Sequence, residues 1–597
     1  AGLRSAGEST EISPIAALGL AMASEAQSDL ALVGLDHDVD VALATLGVPG
    51  LAIAVVSPSR VIMARGFGWR DVEERLPVTP DTVFPIGSAT KSFTSFVLAT
   101  LADEHKVDFF APVRDVLPDF RLLDPLATER ATVADLLTHR TGVPRHDAVW
   151  FGHVTPTRSE LVARLQYLQP SARFRGKFQY SNLMYVAAGR LAEVATGRSW
   201  EDLVGSRILS PLGMSRTFFS LEATRQAGDY ATPNRASGDE VRPVGFRDAS
   251  AVAPAGGLWS SANDLARWVR MLLMRGEWEG RRLVDPGTLT ELFRPITPTR
   301  MTVSGKELTQ PYYGLGWFVD TYRGRLRVYH GGNLDGFTSL VTLFPNESYG
   351  VVILANIGAS NLPEALVRSI ADRLFKLSRQ DWLGRASRAR EGARGARERV
   401  RAVVAMRRIT GSAPELPLGA YVGRYENPGY GELAIELGDR GLDMVFNGIR
   451  SPLEHWHFET FNTGTSEDPS FEDLKVTFVT SGAALPLAVL VPFEPAVPAI
   501  EFKRVEPRKL DVGWLTAAVG EYLDGQSEVT VEKRDGRPYL RWPGVAEGEL
   551  VARTWGEARL DAAVSVTVRY VPATSSDPPR LLLYTPDSVR MAIRTER

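Results

Sequence analysis

Phe84-Pro-Ile-Gly87-Ser88-Ala-Thr-Lys91 reads as a short strand, a turn and a helix start, with a serine and a lysine three residues apart. Residues i and i+3 of a helix share a face, so the lysine ammonium lies beside the serine hydroxyl. A serine hydroxyl is a poor nucleophile until a base sits next to it. A lysine is that base only where burial and nearby positive charge lower its proton affinity. A helix N-terminus adds free backbone N–H groups and a favourable dipole for a developing oxyanion. The helix that follows is supported by Phe93, Phe96, Val97 and Leu101 at i, i+3, i+4 and i+8.

Working outward, Pro49–Val56 and Arg60–Phe67 are strand-like runs around Ser-Pro-Ser, which predicts a hairpin. Leu183–Ala195 predicts a helix closed by Thr196-Gly197. Asn263 is read as the N-cap of another, with Leu265, Trp268, Val269, Leu272 and Leu273 on one face. Leu326–Tyr329, Ser339–Phe344 and Tyr349–Ala355 return to strands. Strands at both ends around helices predict an α+β domain with one mostly antiparallel sheet. The chain has 597 residues, enough for several domains. Lys+Arg 68 against Asp+Glu 71 leaves no global case for nucleic-acid binding. With no cysteine, a disulfide framework, a thiolate metal site and a cysteine nucleophile are excluded together. No apolar run is long enough to read as a membrane span.

Two further motifs join Ser88 and Lys91. Gln179-Tyr180-Ser181-Asn182 precedes a helix, and His330-Gly331-Gly332 follows a strand. S-x-x-K, Y-x-N and H-x-G in this order resemble the serine β-lactamase and penicillin-binding-protein superfamily. The tyrosine is similar to that of class C β-lactamases. The histidine, in place of the usual lysine, is similar to carboxylesterases and D-aminopeptidases of that fold. Asp135–Gly142, Pro254–Leu258 and Gly314–Trp317 agree, and the resemblance spans about residues 36–378.

The resemblance implies that Ser88 is acylated, that Lys91 helps deprotonate it, and that Tyr180 is the partner base, as phenolate or proton relay. Neighbouring cations would have to lower the tyrosine's ordinary value near 10. Asn182 would hold the substrate amide and orient Lys91, and His330 would contact Tyr180 or the substrate. The N–H groups of Ser88 and Asn333 would form the oxyanion hole, with Gly332 leaving room for substrate. Trp150 and the Arg145-His146-Asp147 loop are read as a rim of the pocket. His139 is read as structural. A histidine in the third motif is a weaker carboxylate anchor than a lysine, which points away from β-lactams and towards small amides, short peptides, D-residue peptides or esters. No metal or organic cofactor is implied. Two alternatives stay open: an acyltransferase or peptide cyclase with an amine acceptor, and an acylated sensor that does not turn over. Oligomeric state and compartment are not readable.

The rest of the chain is different. Residues 1–35 are read as an N-terminal arm, since Glu8 and Glu11 spoil the flank of the apolar run Pro14–Ala23 as a leader. Residues 379–416 hold nine arginines between Arg385 and Arg408 without interleaved aromatics, and read as a solvated linker helix. Leu418-Gly-Ala-Tyr-Val-Gly-Arg-Tyr425 repeats as Leu515-Thr-Ala-Ala-Val-Gly-Glu-Tyr522 at an offset of 97. Each copy runs into alternating strands and tight turns, which predicts two small antiparallel β-barrels, at 417–508 and 509–597. Paired lipocalin-like domains of this kind resemble the appendage of a D-aminopeptidase. The acidic loop Glu467, Asp468, Glu472 and Asp473 and the pair His455 and His457 are read as solvated loop and strand residues, not as a substrate reader or a metal site.

Overall fold

The computed structural model describes residues 29–595, apart from 154–155, 238–239, 300, 302–304, 439, 467, 483–484, 506–512, 525–526, 555–556, 561–565, 574–577 and 586–587. The expected arm lies largely outside the described residues, as does Glu467 of the acidic loop. Two compact units result. One takes the chain up to Asp147 and Pro156–Arg407; the other takes Ala148–Thr155 and Arg408–Arg597.

The first unit is built on a nine-stranded sheet. Its strands are β1 Gly50–Val56, β2 Val61–Asp71, β3 Leu76–Pro77, β4 Thr297–Pro298, β5 Tyr312–Tyr313, β6 Phe318–Tyr322, β7 Arg325–Leu334, β8 Phe337–Phe344 and β9 Tyr349–Ala355. They lie in the order β4-β5-β6-β7-β8-β9-β1-β2-β3, every pairing antiparallel. The two ends of the domain meet where Ile53 of β1 faces Ile353 of β9. β1 and β8 are buried along their whole length, as continuous apolar runs require when both faces are covered. One face packs against α1 Leu35–Leu46 and the later helix α5 Leu362–Leu374, through Val39, Leu43, Leu366 and Ile370. Between the two halves of the sheet come α2 Thr90–Asp103, α3 Asn182–Thr196 and α4 Ala262–Leu273. The cap of α4 is Ser261, whose side chain accepts from Asp264 N–H, and not Asn263. A Ser-x-x-Asp start places the hydroxyl on the N3 amide, while Asn263 donates its side-chain amide to Asp81.

The arginine-rich stretch is one helix, α6 Trp382–Met406. Its first turn docks on this unit: Trp382 is buried and donates its indole N–H to Asp372, 2.8 Å away. Farther along, Arg and Ala are good helix formers and need no such support.

The second unit holds two closed eight-stranded barrels, Gly423–Val505 and Gly520–Arg594. In each, the first strand pairs with the last: Tyr425 faces Arg504, and Tyr522 faces Arg594. The repeated sequence is the closing device. Tyr425 donates its hydroxyl to the Tyr421 carbonyl (2.8 Å), and Tyr522 to that of Ala518 (2.7 Å). Arg504 donates to the Val422 carbonyl (2.7 Å), and Arg594 to that of Val519 (2.6 Å). A Cβ on Gly423 would stand 2.9 Å from the Arg504 guanidinium, and one on Gly520 2.8 Å from that of Arg594. The guanidinium therefore accounts for the glycine of the repeat, and the tyrosine hydroxyl for the carbonyl four residues before it. Within the same unit the turn at Asn447 holds the 148–153 segment, donating to the Ala148 and Phe151 carbonyls at 3.1 and 3.0 Å.

Candidate active site

Ser88 sits in a single 3-10 turn, Gly87–Ala89, that runs directly into α2. Gly87 has φ +50°, a left-handed conformation that a glycine adopts without cost. The turn is pressed against β7. A Cβ on Gly332 would lie 1.9 Å from the Ile86 carbonyl oxygen, and one on Gly87 3.1 Å from Asn333 N. The sequence reading gave the space at Gly332 to substrate; it belongs to the backbone beneath the nucleophile. The Ile86 carbonyl also accepts from Ser339 Oγ (2.7 Å), so turn and sheet are joined by a hydrogen bond. The Ser88 and Asn333 backbones are thus held side by side.

Lys91, the second residue of α2 and one turn on from Ser88, is fully buried. Its Nζ donates to Ala255 O (2.7 Å) and Asn182 Oδ1 (2.8 Å), and lies 3.1 Å from Ser88 Oγ. Two of these partners can only accept, whereas the hydroxyl can also donate. A neutral amine fits the set: two N–H bonds to the carbonyl oxygens, and a lone pair facing Ser88 O–H. Burial first, and Arg145 second, lower the Lys91 proton affinity well below the ordinary value, with Asp147 opposing them.

Asn182, the first residue of α3, points its carbonyl at Lys91 and its amide N–H at Asp147 Oδ1 (2.9 Å). Asp147 is ion-paired with Arg145 through Nε (2.5 Å). The Arg145 guanidinium lies 5.2 Å from the centre of the Tyr180 ring, and Lys91 Nζ 4.8 Å from it. The loop read only as a rim therefore supplies the acid that fixes the Asn182 amide. No local signal distinguished Asp147, because its partner lies 35 residues away in sequence.

Burial pushes the Tyr180 hydroxyl above its ordinary value, outweighing the opposing influence of Ser88 and Arg145. The expectation that cations lower it is not met, and the side chain is a phenol rather than a phenolate. His139 lies beneath it, ring centres 4.3 Å apart, and its Nδ1 accepts from Ser181 N–H (3.1 Å). That supports the Tyr180-Ser-Asn turn from below.

His330, expected to face Tyr180 or the substrate, turns the other way. Its Nε2 is 2.8 Å from the Tyr313 hydroxyl and its Nδ1 is 2.7 Å from Gly331 O. Burial first and Lys91 second bring it down to about 3, so the imidazole is neutral. Tyr313 was not singled out in the sequence beyond lying next to Gly314-Leu-Gly-Trp317. Trp150 falls in the segment that clusters with the barrels, where it is buried against Phe151 at 4.5 Å. Among the described residues no cluster of His, Asp and Glu is arranged to hold a metal, and no helix is long and apolar enough to cross a membrane.

The Beta-lactamase family model matches residues 35–374, and a model described as a domain of unknown function, DUF3471, matches 407–504. Similar proteins include the unguisins hydrolases of Aspergillus campestris, 33% identical over 67% of this chain and 76% of that protein, and of Aspergillus violaceofuscus, 30% identical over 80% and 87%. A solved structure of an octameric penicillin-binding protein homologue from Pyrococcus abyssi is similar in fold, with TM-score 0.51 and 20% identity over 94% of this chain and 99% of that one. With the family model covering more than half of its length, the chain belongs to the serine β-lactamase and penicillin-binding-protein-like family of hydrolases.

Proposed function

We propose that the protein hydrolyses small amide or short-peptide bonds through an acyl-enzyme on Ser88, with activated esters also accepted. The observation that carries this is the buried Lys91 amine, held by two obligate acceptors and facing Ser88 Oγ at 3.1 Å. Ser88 Oγ bonds to the substrate carbonyl carbon as its proton passes to Lys91 Nζ. The oxyanion is received by the N–H groups of Ser88 and Asn333. As the carbon–nitrogen bond breaks, the leaving amine takes the Tyr180 phenolic proton, which Lys91 replaces. Water then attacks the ester by the reverse route and frees Ser88.

The third motif favours substrates without a carboxylate anchored on β7. A buried, neutral histidine committed to Tyr313 offers no cation at that edge, where a lysine would. The two relatives named as hydrolases support the reaction class.

The test is the ratio of rates on D-alanine p-nitroanilide and p-nitrophenyl acetate, with Ser88→Ala as the blank. Both should be cleaved, and Ser88→Ala should lose at least about 10³-fold. Cleavage of the ester alone would reduce the reading to an esterase. Activity of Ser88→Ala near wild type would remove the acyl-enzyme altogether.

A further inference from the structure

Beside Lys91 lies a packed cluster of aromatic and imidazole rings: His139, Tyr180, Tyr185, Tyr313 and His330. Tyr313 comes from β5 and His330 from β7, and both are essentially fully buried. The bond between them has a direction. The Gly331 carbonyl can only accept, so the proton near it is on His330 Nδ1. Nε2 of the neutral ring is then a bare lone pair, and the Tyr313 hydroxyl donates to it.

We infer that Tyr313 is a positioning residue: by donating to Nε2 it locks His330 as the neutral Nδ1–H tautomer, and that proton holds the Gly331 carbonyl and the strand edge leading to Asn333. The inference rests on the acyl-enzyme reading above, because that edge carries the second oxyanion donor. The edge has no slack. Gly332 is already against the Ile86 carbonyl, and Asn333 against Gly87. A displacement well under an ångström at the reacting centre is costly. The titratable groups facing His330 are Tyr313 from β5, Lys91 from α2 and His139 from the segment before Arg140; its remaining ring neighbour is Phe318 from β6. Without the tyrosine hydroxyl nothing donates to Nε2, and the neutral imidazole is free to take the other tautomer and let go of the Gly331 carbonyl.

Two measurements test this. The first is kcat and KM for p-nitrophenyl acetate, for wild type, Tyr313→Phe and Ser88→Ala. Tyr313→Phe should keep KM within about twofold and lose about 10- to 100-fold in kcat. The second is the long-range ¹H–¹⁵N spectrum of histidine-labelled protein. It should show wild-type His330, assigned with His330→Asn, as the Nδ1–H tautomer at neutral pH, and Tyr313→Phe should change that signature. Wild-type kcat and an unchanged His330 signature in Tyr313→Phe, with Ser88→Ala inactive, would overturn the inference and leave the acyl-enzyme reading standing. An active Ser88→Ala would overturn that reading, and the tautomer spectrum would still decide the lock. If Tyr313→Phe does not fold, an Nε2–H or doubly protonated His330 in the wild-type spectrum overturns the inference by itself.

Discussion

Lys91 and Arg327 are both buried basic side chains of the same domain, and they keep opposite company. Arg327 on β7 reaches Asp320 through Nε and Nη2 at 2.8 and 2.7 Å, and Glu364 through Nη1 at 2.6 Å. Burial works against its charge, but Glu364 and Asp320 outweigh it and hold the proton more firmly than usual. Lys91 touches a carbonyl, an amide and a hydroxyl. Its nearest acid, Asp147, stands one residue removed behind Asn182. Equal burial therefore produces a strut in one place and, in the proposed mechanism, a base in the other. The direct neighbours make the difference: a carboxylate in contact pins the charge, and a neutral acceptor lets it go.

Exchanging each side chain for methionine should separate the two most sharply. Lys91→Met should lose at least about 10³-fold in kcat/KM and cost less stability than Arg327→Met, because it strands two neutral acceptors, Ala255 O and Asn182 Oδ1, and no carboxylate. Arg327→Met strands Asp320 in the interior and should lower stability by about 3–5 kcal/mol in denaturant titration, while whatever remains folded keeps its activity. Should Lys91→Met prove the unstable one and Arg327→Met the inactive one, the contrast is reversed.

Smaller effects sharpen the account of Lys91. The acid limb of kcat/KM reports the proton that the base must lose. Arg145 lowers the Lys91 proton affinity, so Arg145→Gln should move that limb to higher pH; Asp147 raises it, so Asp147→Asn should move it lower, each by up to about one unit. Shifts of the same sign would mean that the pair acts through loop position rather than charge. Acid stability probes the other cation. Arg327 and Arg368 hold Glu364 at about 2, against an ordinary 4.5. Its carboxylate therefore stabilises the fold fully above the unfolded value, and that contribution fades as pH falls from about 4.5 towards 2. Glu364→Gln should flatten this part of the melting-temperature profile.

The elements that carry chemistry were legible because each is local. Ser88 with Lys91, Tyr180 with Asn182, and the glycines after His330 are short patterns on predictable turns and strands. The barrel repeat was visible because its tyrosine, glycine and carbonyls are contiguous, although the arginine that explains the glycine stands 82 residues from its acceptor in the first barrel and 75 in the second. What stayed hidden was pairing across the fold. Asp147 gains its role only from Asn182, and Tyr313 only from His330. The depth at which Tyr180 is buried was hidden for the same reason: a motif states which cations are near, but the burial that keeps the phenol protonated comes from the fold. The cap at Ser261 was missed by two residues, because Asn263 beside it is an equally good capping type and only the backbone geometry chooses between them.

The closing arginines have a consequence for how the chain reaches this structure. Each barrel can form its hairpins from neighbouring sequence, but the ring shuts only when its last strand finds its first, so closure is the slow and late event. Both rings are latched by the same parts: an arginine on the final strand, a glycine with no Cβ to block it, and the carbonyls before a tyrosine. The cost of each ring's closure therefore falls on one contact between residues 82 and 75 apart in the chain, and a substitution of Arg504 or Arg594 acts on closure rather than on the hairpins.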